Sequence, residues 1–107
     1  DYLPLGQAKL SIDQELIPQA IRLHPNYPNP FNPITTIQLD INSGLKSFII
    51  LSVYDIQGKE VDQIFNGLLD EGRHTMHWNA SDFSSGIYFL KFKAGNYQQV
   101  QKMILTK

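Results

Sequence analysis

Three histidines, His24, His74 and His77, are the first residues that could ligate a metal or move a proton. His74 and His77 stand three apart in a segment that alternates like a strand, which puts them on opposite faces where one ion cannot reach both. No Asp or Glu stands at a spacing that completes a site with either, so ordinary strand histidines are the simpler reading. Ser84-Ser85-Gly86 sets serines on a turn but lacks the flanking glycine pattern of a nucleophile elbow, and it suits strand entry instead, with Gly86 serving the backbone. Asp70 and Glu71 are adjacent carboxylates in a turn, more apt as solvated charges than as an acid–base pair. Asn79-Ala80-Ser81 matches a glycosylation sequon, a pattern short enough to arise by chance. Tyr88, Phe89, Phe92 and Tyr97 could line a sugar-binding face, although aromatics on neighbouring strands more often pair within a core. These residues point to no catalytic centre, cofactor or metal, and to a chain that is not an enzyme.

The bulk properties allow one folded domain. At 107 residues, 42% hydrophobic and 18% charged, the chain can bury a core. Its formal net charge of −1, with 9 Lys+Arg dispersed along it, gives no electrostatic case for nucleic acid or an anionic membrane. No apolar run approaches the ~18 residues of a membrane-spanning helix. The lack of Cys excludes disulfides and thiolate metal sites without fixing a compartment. The first residue is Asp1, and the chain reads as the end of a longer protein.

The elements that must position these residues are short strands. Thr36 to Ile41 alternates strictly, with Ile37, Leu39 and Ile41 on one face. Asn42-Ser43-Gly44 is a turn signal, and Lys46 to Tyr54 is apolar on both faces, which places it centrally in a sheet. Tyr54, Asp55 and Gly58 mark a hairpin, Gly58 where a positive φ is wanted and Asp55 where its side chain can bond the turn amides. Glu60 to Phe65 returns, with Val61 and Ile64 toward the core and a bulge near Asp62-Gln63; Asn66-Gly67 reads as a further turn. The next strand sets His74, Met76 and Trp78 against Arg73, Thr75 and His77, and Phe83 plugs the end of the core. Gly86 opens an aromatic strand to Phe92, Ala94-Gly95-Asn96 turns, and the last strand puts Met103 and Leu105 on one face and Lys102, Ile104 and Thr106 on the other. Turn signals every ten residues or so, without helical periodicity, predict an all-β fold: an antiparallel immunoglobulin-like β-sandwich of about seven strands.

Ahead of the strands lies Asn26-Tyr27-Pro28-Asn29-Pro30-Phe31-Asn32-Pro33. Its prolines forbid a helix and push the residues before them into extended geometry. A stiff, polyproline-like strap is expected, with Tyr27 and Phe31 docking as anchors. Residues 1–25 read as a linker to an upstream domain that packs partly on residues 26–107, with Ala8 to Ile12 able to pair as a strand.

The strap, followed by Thr35-Thr36-Ile37, resembles the opening signature of the type A C-terminal sorting domain of the type IX secretion system. The resemblance continues through Val53-Tyr54-Asp55 with Gly58 and Val61, Gly72-Arg73-His74 with Trp78, Ser85-Gly86-Ile87-Tyr88-Phe89, Ala94-Gly95, and the closing Lys102-Met103-Ile104-Leu105-Thr106-Lys107. Asn79 departs from the family's frequent Asp after the Trp. The resemblance implies a non-catalytic signal of certain Gram-negative bacteria. An N-terminal cargo in the same chain crosses the periplasm and is carried through the outer membrane to the cell surface or medium. The outer-membrane translocon recognises the domain, and a sortase-like peptidase can remove it. Carried over to this sequence, recognition falls on Gly95 and on Lys102, Met103, Ile104, Leu105, Thr106 and Lys107, with the strap second. A last strand at a sheet edge could serve by β-augmentation, or pair with a second copy as a homodimer. The alternative is a carbohydrate-binding or adhesin-type module, which the same fold would also suit.

Overall fold

The computed structural model describes residues 21–42 and 46–107, and among these every regular element is a strand. The strands are β1 (Ile21–Leu23), β2 (Ile34–Ile41), β3 (Ser47–Tyr54), β4 (Glu60–Leu69), β5 (Gly72–Asn79), β6 (Gly86–Ala94) and β7 (Tyr97–Leu105). They form two antiparallel sheets, one in the order β1-β2-β5 and the other in the order β4-β3-β6-β7. Alternation decides which side faces the partner sheet. Ile37, Leu39 and Ile41 from one sheet meet Ile49, Leu51, Val53, Leu90, Phe92, Met103 and Leu105 from the other, all of them buried. This is the two-layer sandwich expected of such a pattern.

The hairpins follow their turn chemistry. Asp55 N–H donates to Lys59 O at 2.9 Å, and Asp55 Oδ1 accepts from the amides of Gln57 and Lys59 at 2.9 and 3.0 Å. Gly58 takes a φ of 85°, and Gly95 takes 59° where Ala94 pairs with Tyr97 across the β6–β7 turn. Both values lie where a Cβ is disfavoured. β3 lies between β4 and β6, as its apolar run requires, but among the described residues no layer covers its outer face, and Phe48 is exposed.

Two expectations change. Asn66-Gly67 is no turn: β4 continues to Leu69, with Asn66 opposite Ile50 and Gly67 opposite Ile49. The β3 ladder extends to Ser47, and pairing with it outweighs the local turn preference. The Phe65 ring lies over Gly67, 3.4 Å from where a Cβ would stand, and covers the gap the glycine leaves. The irregularity near Asp62-Gln63 is a pair of bulges: Ile64 and Val61 are the residues skipped in the register with β3.

The second change concerns the strap. The sandwich already includes β1, whose Ile21 and Leu23 are buried inside the stretch read as a linker. Ala8 to Ile12 and Ser43-Gly44 lie outside the described residues. From β1 the chain keeps to β2, with His24 N–H donating to Gln38 O and Tyr27 exchanging two main-chain bonds with Thr36. It then bends through Pro28–Pro30 and crosses to the other sheet, where Phe31 bridges Leu105 in parallel. The peptide bonds before Pro28, Pro30 and Pro33 are cis. The strap is thus a bent crossover between sheets rather than a straight rod, because its two ends pair with different layers.

Candidate functional site

The strap and the last half of β7 form one hydrogen-bonded unit. Phe31 N–H donates to Ile104 O and Phe31 O accepts from Thr106 N–H, each at 2.9 Å, as a parallel neighbour strand would. Two residues upstream the Asn29 side-chain amide repeats the pattern: Nδ2 donates to Lys102 O at 3.1 Å, and Oδ1 accepts from Ile104 N–H at 2.9 Å. An asparagine side chain therefore stands in for a peptide group and extends the ladder by one step. The outward-facing main chain of β7 is capped from Lys102 O to Thr106 N.

Asn26 anchors this unit from inside. It is 3% exposed, and its Nδ2 donates to Thr35 Oγ1 at 2.9 Å while its Oδ1 accepts from Gln101 Nε2 at 2.7 Å. Thr35, also buried, donates its hydroxyl to Pro28 O at 2.8 Å. The network joins β2, the strap and β7, and no buried side-chain polar atom among the described residues lacks a partner. Phe31, 1% exposed, enters the aromatic cluster around Trp78, whose ring centroid lies 5.6 Å from those of Phe31 and Phe83 and 5.7 Å from that of Tyr88. Trp78 Nε1–H donates to Asp62 Oδ2 at 2.8 Å, linking the sheets at the bulged part of β4. Tyr27 departs from the docking expectation: its ring is 79% exposed, and only its main chain is held.

The residues carried over as a recognition set divide sharply. Met103 and Leu105 are buried in the core and unavailable to a partner. Lys102 and Thr106 are exposed and Ile104 is half-buried on the outer face. Lys107 turns back on its own fold, its Nζ donating to Ser81 O at 2.6 Å and Phe83 O at 3.0 Å, and its N–H to Ser85 Oγ at 2.9 Å. Gly95 lies at the opposite end of β7, about 30 Å away at strand rise. Tyr54, Asp55, Gly58 and Gly86 gather at the Lys107 end, Tyr54 pairing with Phe89 and Gly86 with Leu105.

The residues first considered for chemistry are accounted for locally. His74 Nε2 lies 2.8 Å from Asp70 O and His77 Nδ1 lies 3.2 Å from Thr36 Oγ1, on opposite faces of β5. Among the described residues no group of three or more His, Asp or Glu could hold a metal ion. Ser84 O accepts from Tyr88 Oη at 2.7 Å, and Asn79 Oδ1 accepts from Ser81 N–H at 3.0 Å. Of the four aromatics weighed as a sugar-binding row, Tyr88 and Phe92 are buried and Tyr97 packs edge-on to Phe92, 6.0 Å between centroids, leaving Phe89 alone on the outer face.

A charged cluster escaped the sequence reading. Asp40, with a side chain 19% exposed, takes two bonds from Arg73 at 2.8 and 3.2 Å and lies 2.6 Å from His24 Nε2. The Arg73 bonds first, and the His24 contact second, hold the Asp40 carboxyl well below the usual carboxylate range. Register puts Arg73 directly opposite Asp40, but these residues are 33 apart in sequence, and only knowledge of the β2–β5 pairing reveals the pair.

Comparison with known proteins then supplies a family. The family profile described as "Secretion system C-terminal sorting domain" matches residues 26–106. No curated protein matches the chain. Among solved structures, the crystal structure of dimeric latent PorU from Porphyromonas gingivalis is similar, with a TM-score of 0.60 and 16% identity over 80% of this chain. The chain spans 9% of that protein's length. The likeness is one of fold.

Proposed function

This chain belongs to the family of secretion system C-terminal sorting domains, and we propose that within the type IX system it is the folded address of an N-terminal cargo. The outer-membrane translocon reads the address, the cargo passes from the periplasm to the surface or medium, and a sortase-like peptidase removes the domain. The chain itself performs no chemistry in this reading. The observation that carries it is the junction of strap and β7, where the first and last blocks of the family signature, 73 to 75 residues apart at Asn29, Lys102 and Ile104, become one surface. The address is therefore a composite of the folded state rather than a linear tail.

The test is export of a periplasmic reporter fused ahead of residues 21–107. Deleting residues 102–107 would remove the buried Met103 and Leu105 and unfold the domain, so the informative variants are on the surface. Lys102→Glu combined with Thr106→Glu should retain the native circular dichroism and melting temperature while cutting release into the medium at least tenfold. Undiminished release from that folded variant would remove the end of β7 from the address.

A further inference from the structure

Strap and sheet leave one part of the β7 edge open. The main chain of β7 points alternately to β6 and to the edge, and the edge row comprises Gln98, Val100, Lys102, Ile104 and Thr106. The strap caps this row from Lys102 O onward, while among the described residues nothing bonds the N–H and C=O of Gln98 and Val100 or the N–H of Lys102. The edge strand on the opposite side of the same sheet, β4, is interrupted by two bulges. The first half of β7 has neither bulge nor proline.

The side chains beside this opening share one chemistry. On the outer face Lys93 stands beside Gln98, Lys91 beside Val100, and Phe89 beside Lys102. Val100 is 57% exposed, and β6 and β7 together contain three lysines and no carboxylate. From this we infer that the Gln98–Lys102 edge takes an extended acidic segment of a partner protein as a fifth strand of the sheet. The incoming strand closes the open donors and acceptors, sets an apolar residue against Val100, and brings carboxylates to Lys93 and Lys102. Main-chain bonds hold the strand, and the lysines select its charge and speed its encounter. This deepens the export reading, on which it rests, by naming the kind of segment a partner would present, and it moves strand addition away from the strap-covered Lys102–Lys107 end.

The probe is the capped peptide Ac-Thr-Glu-Thr-Val-Thr-Glu-Thr-NH2, titrated into the whole chain and followed by amide resonances. Shifts and slowed exchange are expected at the amides of Gln98, Val100 and Lys102, with at least tenfold weaker binding of the counterpart carrying Lys in place of Glu. Val100→Pro removes an N–H that serves no internal bond, so the domain should fold and lose the peptide. If that variant fails to fold, Lys93→Glu with Lys102→Glu provides the same test by reversing the preference toward the Lys peptide. Shifts located elsewhere, undiminished binding by folded Val100→Pro, or an unchanged preference in the double variant would each overturn the inference. Failure of the native reporter to leave the periplasm would count against the export reading alone and leave this map intact.

Discussion

Two asparagines tie the strap to both sheets. Asn26 and Asn29 satisfy main chain and side chains that the strap's prolines cannot, since proline brings no donor. A buried network of this kind is costly to leave half made, which ties strap, β2 and β7 to one arrangement. The ionic counterpart is Asp40 between Arg73 and His24. Its folded-state pKa is depressed, so its contribution is fully present above the unfolded carboxylate value of about 4 and is lost as pH falls through the folded value. Asp40→Asn should therefore lower stability by about 1 kcal/mol between pH 5 and 7, a modest figure because Arg73 is largely solvated. The gap to the native chain should narrow below pH 4, which urea titrations across that range would measure. A gap that widens toward acid would contradict the assignment.

Among the elements, the strap is where sequence and tertiary structure meet. Its prolines announce an irregular segment, and the buried Phe31 shows what that segment does: it pins the crossover beneath the sandwich while its main chain closes the β7 edge. Phe31→Ala removes a buried ring next to Trp78 and should cost about 3–5 kcal/mol, a large share of the stability of a domain this size. Native-state hydrogen exchange should show the amides of Ile104 and Thr106 losing protection more than those of β3. Uniform loss across both sheets would mean that the strap does not open separately from the core. β4 teaches the opposite lesson about local signals. Asn66-Gly67 has the composition of a turn, yet it lies in mid-strand because β3 continues beside it and Phe65 covers the glycine.

For the whole molecule, the question is where the domain starts. The family profile begins at residue 26, but β1 (Ile21–Leu23) already belongs to the sheet. Ile21 and Leu23 bury their side chains against the core, and β1 lines the edge of β2 from Leu39 to Ile41. A chain begun at Asn26 should be less stable than one begun at Ile21 by about 3 kcal/mol, after the ordering cost of the extra residues offsets part of the burial. Chemical denaturation of the two fragments would measure the difference, and equal midpoints would return β1 to the status of linker.

Alternation of apolar residues and the placement of glycine are local facts, so β2, β3, β5, β6, β7 and the first half of β4, two of the hairpins and the inward rows of β2, β5 and β7 were readable from the chain alone. So was the family, because its signature is a set of short blocks in order. What required the third dimension was every property that depends on which strands become neighbours. The Asp40–Arg73 pair, the inward return of Lys107, and the capping of one half of β7 by Asn29 and Phe31 all arise from pairings between residues far apart in sequence. Hydrogen-bond partners across a sheet are chosen by the whole packed arrangement, and one chain position carries no record of its partner. The sequence suggests that the last strand could be an edge; only the folded molecule shows which half of that edge remains open among the described residues.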